Sequence, residues 1–356
     1  MPNPSKTTLG RRAFLLASSA GALSAASNTS EKIRTAVYGI GHGHARSKVQ
    51  TIREMSQFEL VGICEPDKNE PRDHKVYQGV RWLSEQEMLD DPSIELIAVE
   101  SNVRGNMNFT YAQKAIAAGK HVHLDKPPGD SLPALKELLE SAAKQGRIVQ
   151  MGYQWRYHPA MQKAIEAARK GWLGHIYMVR ATINKPLDQA ARDYDAVYSG
   201  GMMFDLGSHM IDRIVDLLGK PKTIKGWVRH DSTVNDKLAD NTLAVFEFEK
   251  AMAEVYIAAQ QPHGNTYRTF EILGTEGTAT VRPFFPQMRL HLDLAHAAGP
   301  YKAGFQTIDI PLVKQAPYEP DFLALAGMIR NGDTPEYSIE HDLNVQEALL
   351  KACKMM

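Results

Sequence analysis

The sequence predicts an α/β fold, with an N-terminal doubly wound parallel (Rossmann) sheet followed by an α+β domain that carries a largely antiparallel open sheet. Three observations support this prediction. The segment 33–67 has the order strand, glycine turn, helix, strand and acid. Short apolar runs then alternate with helical patterns up to residue 152, as in parallel sheets with crossover helices. Between residues 223 and 312, apolar and polar residues alternate, which indicates antiparallel strands with one solvent-facing side.

The composition is that of a globular protein and limits the classes of partner. The 356 residues suffice for two domains, and 41 Lys and Arg balance 41 Asp and Glu. This neutral balance argues against nucleic-acid binding through phosphate contacts alone. The only cysteines, Cys64 and Cys353, are too few for a disulfide framework, so we expect two free thiols. We expect a signal at 1–30, a nucleotide-binding domain at 31–152 and a substrate-binding and oligomerisation domain at 153–356.

The first 30 residues resemble an export signal. Arg11 and Arg12 precede Phe14, Leu15 and a run of small and apolar residues that ends near residue 26. Paired arginines at this place are typical of twin-arginine signals, which export folded proteins. We therefore expect a periplasmic or other extracytoplasmic protein with no stable membrane insertion after processing, since the run is too short to span a bilayer. A disordered tail or an uncleaved anchor is the alternative.

The opening unit predicts a dinucleotide pocket. Gly39 and Gly41 let the backbone approach a pyrophosphate, and the N–H groups of the following helix attract its charge. His44 stands at the third glycine position of this pattern. Glu65, at the end of the second strand, is placed to bind a ribose diol and would repel a 2′-phosphate, which favours NAD over NADP. In an exported protein we expect this cofactor to be tightly held.

The rest of the first domain supplies four more strand candidates, at 79–83, 96–99, 121–124 and 148–151, and a helix at 108–118. Lys126 follows the third of these strands and precedes Pro127 and Pro128. Ligands of such sheets bind beyond the carboxyl ends of the strands, so Lys126 is a candidate for the active crevice. A surface lysine in a turn is the alternative.

The second domain is predicted to begin with a helix at 160–170 and a strand at 176–183. The polar segment 184–199 is interpreted as a loop that lines the substrate site, although a solvated surface loop fits the pattern almost equally well. Asp205, His209 and Asp212 have helical i, i+4, i+7 spacing, which places them on one face. Further strands are predicted at 243–249, 252–258, 268–273, 279–282 and 288–292. Helices at 318–330 and 341–354 are expected to pack back near the first domain.

Several motifs together resemble the Gfo/Idh/MocA family, which contains glucose–fructose oxidoreductase and inositol dehydrogenase. They are Gly39-x-Gly41, the run Cys64-Glu65-Pro66-Asp67, the run AGKHVHLDKP at 118–127 and the Gly-Gly…Asp-x-Gly-x-His-x-x-Asp helix at 200–212. The chain departs from the family pattern at Ser101, Val103, Asn108 and Asp125. The resemblance implies an NAD(P)-dependent oxidoreductase acting on a sugar, sugar acid or cyclitol hydroxyl, with Lys126, Asp205 and His209 converging on the substrate carbinol.

In the chemistry we expect, His209 takes the hydroxyl proton, Asp205 orients its ring, and Lys126 stabilises alkoxide character. The expected cofactor contacts are Gly39, Gly41, His42, Gly43, His44, Glu65, Asn102, Asp125, Lys126 and Gln154. The expected substrate contacts are Lys126, Arg156, Tyr157, Arg192, Tyr194, Asp205 and His209.

Other functions remain open from the sequence. An NAD-using glycosidase or epimerase would oxidise its substrate only transiently, and a non-catalytic binding protein would keep the fold alone. His42 with His44, His121 with His123, and Asp205 with His209 have metal-ligand spacing, but no cluster supplies three ligands, and we expect no metal. An open sheet favours a homo-oligomer.

Overall fold

The computed structural model describes residues 31–101, 106–311 and 318–356. The chain forms two sheets, each covered by helices on at least one face. The predicted export signal, and the predictions that concern Asn102 and Val103, lie outside the described residues.

A five-stranded parallel sheet with the order β2-β1-β3-β4-β5 forms the N-terminal domain, as predicted. Its strands are nearly fully buried because helices cover both faces. The strands are β1 Ile33–Tyr38, β2 Phe58–Cys64, β3 Leu96–Val99, β4 His121–Leu124 and β5 Val149–Met151, and the helices are α1 Ala45–Glu54, α2 Glu85–Asp90, α3 Met107–Ala117 and α4 Leu132–Lys144.

The predicted strand at 79–83 is wrong, because only Trp82 pairs with the sheet, in a parallel bridge to Ile63 of β2. Ser84 caps α2 in a reciprocal box with Glu87, so the helix begins at once and leaves no length for a strand. If Trp82 is counted as a one-residue strand, it lies outside β2, and the order becomes 3-2-1-4-5-6. That order is the one found in dinucleotide-binding folds.

The second domain carries an eight-stranded sheet with the order β13-β12-β11-β10-β6-β9-β8-β7. All neighbours are antiparallel except β6 and β9, which confirms the predicted open sheet. Its strands are β6 Ile176–Thr182, β7 Thr223–Arg229, β8 Asn241–Glu247, β9 Met252–Ala258, β10 Thr269–Gly274, β11 Gly277–Val281, β12 Met288–Leu294 and β13 Gly304–Ile310.

The helices of this domain are α5 Pro159–Arg169, α6 Gln189–Asp195, α7 Ser208–Leu218, α8 Glu319–Asn331 and α9 Ile339–Ala352. The segment interpreted as a loop at 184–199 contains α6, because the Asp188 side chain caps the backbone N–H of Ala191 at 2.9 Å. A π-helical turn, Met203–Gly207, leads into α7.

The last helices return towards the first domain, as expected. Phe322 of α8 is fully buried against Phe58 of β2 and stacks on His123 of β4, so α8 completes a layer of the N-terminal core. Helix α9 packs on α4 and α7. Cys64 and Cys353 are buried free thiols, as predicted. Among the described helices, none combines the length and apolarity that crossing a bilayer requires.

Candidate active site

The glycine turn between β1 and α1 has the shape that a dinucleotide needs. Gly39 has φ of +83°, and a Cβ there would lie 2.7 Å from the Cα of Ser101, so only glycine fits without strain. In contrast, no described atom lies within 4 Å of a Cβ added at Gly43. The backbone before α1 therefore faces open space, and the residues at this turn fit a nucleotide cofactor.

The Glu65 side chain fixes the backbone of this turn. One of its carboxylate oxygens accepts the backbone N–H of Ile40 at 2.6 Å and the other accepts that of Asp67 at 2.7 Å. Burial raises the pKa of Glu65, and the two backbone N–H groups oppose that effect. The predicted contact between Glu65 and a ribose stays a prediction, and the carboxylate has the additional task of fixing the turn.

Asp125 is the centre of a buried charge cluster behind the turn. Its Oδ2 lies 2.8 Å from His42 Nδ1, 3.1 Å from His44 Nδ1 and 3.0 Å from Lys48 Nζ. The side chain is fully buried and its carboxylate is occupied by these partners, while the expected cofactor contact of Asp125 stays a prediction. Burial works against the ionised form, but His42 and Lys48 hold the pKa of Asp125 well below its usual range. Asp125 therefore fixes the two histidines of the turn.

The histidine nearest the helix is neutral. Burial lowers the pKa of His44 to about 4, although Asp125 opposes the shift. The ring of His44 lies 5.4 Å from that of Tyr318, and Gln154 hydrogen-bonds the Tyr318 side chain. Gln154 thus lies beside the turn, where its cofactor contact was expected.

The cluster continues into residues that the sequence analysis did not select. Lys48 Nζ also lies 3.0 Å from Glu100 Oε1, and His123 Nε2 lies 2.8 Å from Asp321 Oδ2 in α8. Lys48 falls on the buried face of α1, which was the one available sequence signal. Asp321 comes from 198 residues beyond His123, so no local pattern could reveal the pair.

Within the described part of the chain, two groups of side chains have metal-like geometry, namely His42, His44 and Asp125, and Asp212, His341 and Asp342. Each group already contains a cationic side chain, since Lys48 contacts Asp125 and Arg156 contacts both Asp212 and Asp342. We assign both as ion-pair clusters, and the expectation that the protein needs no metal stays a prediction.

Lys126 and Asp205 meet across the two domains. Lys126 Nζ donates to Asp205 Oδ1 at 2.9 Å and to the Asp205 backbone oxygen at 2.9 Å. The Lys126 side chain is 2% exposed and that of Asp205 is 17% exposed. Burial opposes ionisation of Asp205, but the charge and hydrogen bond of Lys126 hold its pKa below the usual range. The pair is therefore ionic, with the carboxylate open to the cleft.

His209 is held differently from the prediction. Its ring stacks on Trp155 with 4.8 Å between centroids, and its Nδ1 is buried without a hydrogen-bond partner among the described residues. Asp205 therefore does not orient the ring, because the π-helical turn shifts Asp205 out of the regular i, i+4 relation and Lys126 occupies its carboxylate. Burial, and then the charge of Lys126, lower the pKa of His209, so its imidazole is neutral.

The third member of the predicted face points elsewhere. Asp212 binds Arg156, whose guanidinium also contacts Asp342 of α9. Arg156 is only 3% exposed and joins three segments of the chain, while its expected substrate contact stays a prediction. Tyr157 lines a cavity of about 330 Å³ with Arg156 and Asp342, and Lys126 is not among the residues that line it. The expected substrate contact of Tyr157 stays a prediction.

Arg192 is likewise occupied by the protein. Its guanidinium lies 2.6 Å from Asp236 Oδ2 and 2.8 Å from Asp240 Oδ2, and the side chain is 5% exposed. These ion pairs occupy the guanidinium, and the expected contact between Arg192 and substrate stays a prediction. Tyr194 lies on the same helix, close enough to Asp195 and Asp205 for their charges to act on its hydroxyl group. It therefore lies beside the cleft.

Three charged side chains near Asp205 were missed as site residues. Burial, and then the charge of Asp205, raise the pKa of Asp195 to about 7, while Lys185 and Lys126 oppose this shift. Lys185 also acts on Asp205, and Asp205 acts on Arg268. Asp195 and Lys185 lie in the segment interpreted as lining the substrate site, but a polar segment does not show which of its side chains turn inward.

Comparison with known proteins supports the arrangement. Residues 33–153 match the family described as "Oxidoreductase family, NAD-binding Rossmann fold", and residues 161–280 match "GFO/IDH/MocA C-terminal domain". The scyllo-inositol 2-dehydrogenase (NAD(+)) of Bacillus subtilis is 28% identical over 322 residues, which are 85% of this chain and 88% of that protein. The D-glucoside 3-dehydrogenase of Escherichia coli is 25% identical over 54% of this chain and 56% of that protein.

Among solved structures, an NAD binding oxidoreductase from Klebsiella pneumoniae superposes with a TM-score of 0.76 and 18% identity, covering 90% of this chain and 95% of that chain. At this identity the superposition supports the fold.

Proposed function

The chain belongs to the GFO/IDH/MocA family of NAD-binding oxidoreductases, and from this premise we propose that it transfers hydride between NAD and a hydroxyl group of a carbohydrate or polyol. The relatives named as inositol and glucoside dehydrogenases support this substrate class. One observation carries the proposal. Lys126 of the nucleotide-binding domain and Asp205 of the second domain form an ion pair at 2.9 Å, and the neutral His209 follows Asp205 by four residues.

Each of these side chains has a separate task. Bound NAD supplies the nicotinamide ring that accepts hydride from the carbinol carbon. His209, which is neutral, accepts the proton of the substrate hydroxyl. Lys126 donates a charged hydrogen bond to the same oxygen and stabilises its developing negative charge. Asp205 accepts a hydrogen bond from Lys126 and holds its ammonium group at the cleft.

Substitution of His209 tests the proposal. With NAD and a panel of scyllo-inositol, myo-inositol, D-glucose and methyl glucosides, we expect NADH formation at 340 nm with at least one compound. His209→Asn should lower kcat about 10²- to 10⁴-fold without loss of bound NAD. His263→Asn is the matched control, because His263 is exposed and its backbone, with φ of 54°, suits asparagine.

Two results would reject the assignment. One is an unchanged rate in His209→Asn. The other is aglycone release from aryl glycosides with no net NADH, which would indicate transient oxidation instead.

The outer face of the second sheet supports a proposed homo-oligomer. Trp227, Met252, Tyr256 and Phe305 on its strands are 37–69% exposed, which is unusual for large apolar side chains on a free surface. A second copy packed on this face would cover them. Light scattering of the wild type and of Trp227→Glu tests this, and a monomeric wild type would contradict it.

We also propose that residues 1–30 direct export through the twin-arginine route, on the strength of the paired arginines and the small apolar run described above. Arg11→Lys/Arg12→Lys should keep the protein in the cytoplasmic fraction, while the unchanged chain is recovered from the periplasm. Periplasmic recovery of the doubly substituted protein would contradict the proposal.

A further inference from the structure

Two cations lie at the same end of the second sheet. Arg268 immediately precedes β10, and Lys185 lies three residues after the end of β6, while Thr269 and Thr182 pair across these strands. Because side chains alternate, Arg268 lies on the same face as the buried Phe270. The backbone N–H of Lys185 donates to the backbone oxygen of Ala258 at 3.0 Å, so the chain stays hydrogen-bonded to β9 beyond the end of β6.

That inner face is the one on which the catalytic turn rests. Strand β9 contacts the π-helical turn that carries Asp205. The charge of Asp205 acts on both Lys185 and Arg268, so both cations lie within electrostatic reach of the proposed reacting group. The sheet end and the catalytic turn therefore enclose one polar cleft.

Arg268 is the cation in this cleft whose partner is missing. Its Nε is buried and has no hydrogen-bond partner among the described residues. Arg156 and Arg192, in contrast, are each held by two aspartates. A buried N–H donor without a partner is costly unless an acceptor completes it. Burial also lowers the pKa of Arg268, with Asp205 in opposition.

The balance of charge in the cleft is positive. Lys126 and Asp205 neutralise each other at 2.9 Å. Lys185 and Arg268 remain. Among the described residues that act on Asp205, the acid opposite them is Asp195, which is 4% exposed and whose pKa of about 7 leaves it largely protonated in mildly acidic solution. A single negative charge on the ligand would fit this balance, whereas a doubly charged phosphate would also face the carboxylate of Asp205.

We propose that Arg268, assisted by Lys185, binds a carboxylate of the substrate, so that the enzyme acts on a sugar acid or a related polyhydroxy carboxylate in preference to a neutral sugar or cyclitol. The proposal rests on the proposed function for the position of the reacting hydroxyl. The guanidinium fork matches a carboxylate in a bidentate manner and would set which hydroxyl reaches His209.

The experiment compares matched anionic and neutral probes on the NAD-loaded protein. D-Gluconate is paired with D-sorbitol and D-glucuronate with D-glucose, and D-glucose 6-phosphate serves as the dianionic probe. Binding is measured by calorimetry and turnover by NADH formation. We expect at least one carboxylate to bind the wild type at least tenfold more tightly than its neutral partner. Loss of one charge-assisted hydrogen bond in Arg268→Gln should weaken carboxylate binding about 10- to 100-fold and leave neutral probes within twofold.

Arg268→Lys should recover part of the affinity, since it keeps the charge without the fork. Arg289→Gln is the matched control, because Arg289 belongs to the same sheet but is 41% exposed and pairs with Asp309 outside the cleft. It should leave every affinity unchanged.

Each outcome decides the matter. Equal binding of carboxylates and neutral partners, equal losses for both in Arg268→Gln, preference for the phosphate, or no binding of any probe would overturn the carboxylate site. Arg268-dependent carboxylate binding without turnover of any probe would keep the site and refute the proposed redox function. Turnover of neutral probes that does not change in Arg268→Gln would keep the proposed redox function and refute the carboxylate site.

Discussion

Replacing Lys126 by methionine separates the catalytic role of the Lys126–Asp205 pair from its structural role. Methionine keeps most of the length and apolar volume of lysine but removes its ammonium group. In the native protein, Lys126 Nζ donates to both the carboxylate and the backbone oxygen of Asp205 at 2.9 Å, and the lysine is 2% exposed. The substitution therefore removes one charge and two hydrogen bonds at a single buried place.

Two effects of this substitution have different magnitudes. Loss of the cation beside the reacting oxygen should lower kcat about 10²- to 10³-fold, as for loss of one preorganised donor. Stability should fall by about 3 kcal/mol, at the low end for breaking a buried pair, because Asp205 keeps 17% exposure to the cleft. Asp205→Asn in the Lys126→Met background should restore most of the stability without restoring the rate, since it removes the unpaired charge and not the missing donor.

The assay combines urea unfolding with NADH formation on the best substrate of the panel. The double-mutant cycle gives the coupling energy of the pair, and NAD content after purification reports whether the cofactor site survives. A rate within threefold of wild type in Lys126→Met would refute the catalytic role. Equal instability of the single and double variants would refute the unpaired-charge explanation.

Three further predictions follow from the cleft and the turn. Gly39→Ala should lower both stability and NAD affinity, whereas Gly43→Ala should lower only NAD affinity, because a Cβ at Gly43 meets no protein atom; melting curves and NAD titration distinguish the two. Asp195 has a folded pKa of about 7, above its ordinary value of 3.8. Between pH 3.8 and about 7 the folded state therefore holds a proton that the unfolded state has lost. The free energy of unfolding falls as pH rises through this range, by up to about 1.4 kcal/mol per pH unit. Asp195→Asn should therefore melt above wild type at pH 8 and alongside it near pH 4, and equal melting temperatures at pH 8 would contradict this. Trp155→Leu should lower kcat more than NAD affinity, because it removes the ring on which His209 stacks, and equal losses in both would reject a positioning role.

The sequence predicted the elements whose signal is local. The strand predicted at 252–258 coincides with β9, because its side chains alternate between the covered face and the open face of the sheet. Gly39 was identifiable because a strand ended there and a helix followed. The meeting of Lys126 and Asp205 followed from a resemblance, and the structure confirms that meeting through a direct ion pair.

The features that the sequence could not reveal have a common physical origin in contacts that are distant along the chain. Arg156 looked available, because nothing in its neighbourhood shows that Asp342, 186 residues away, binds it. Helical spacing suggested that Asp205 orients His209, but spacing alone cannot reveal that the turn between them is π-helical. Arg268 was missed because its importance lies in having no partner, and a lack of contacts leaves no pattern in a sequence.

Helix α8 has a consequence for how the protein is made. Its residues fill the layer beneath β1 and β2 and supply Asp321 to His123, yet α8 begins 255 residues after β2 ends. When only the first half of the chain has left the ribosome, Phe58 is exposed and His123 lacks its partner Asp321. Ribosome-bound intermediates must therefore be shielded until synthesis is nearly complete. Nonsense truncation just before α8 should therefore yield an aggregating species in place of a free-standing nucleotide domain.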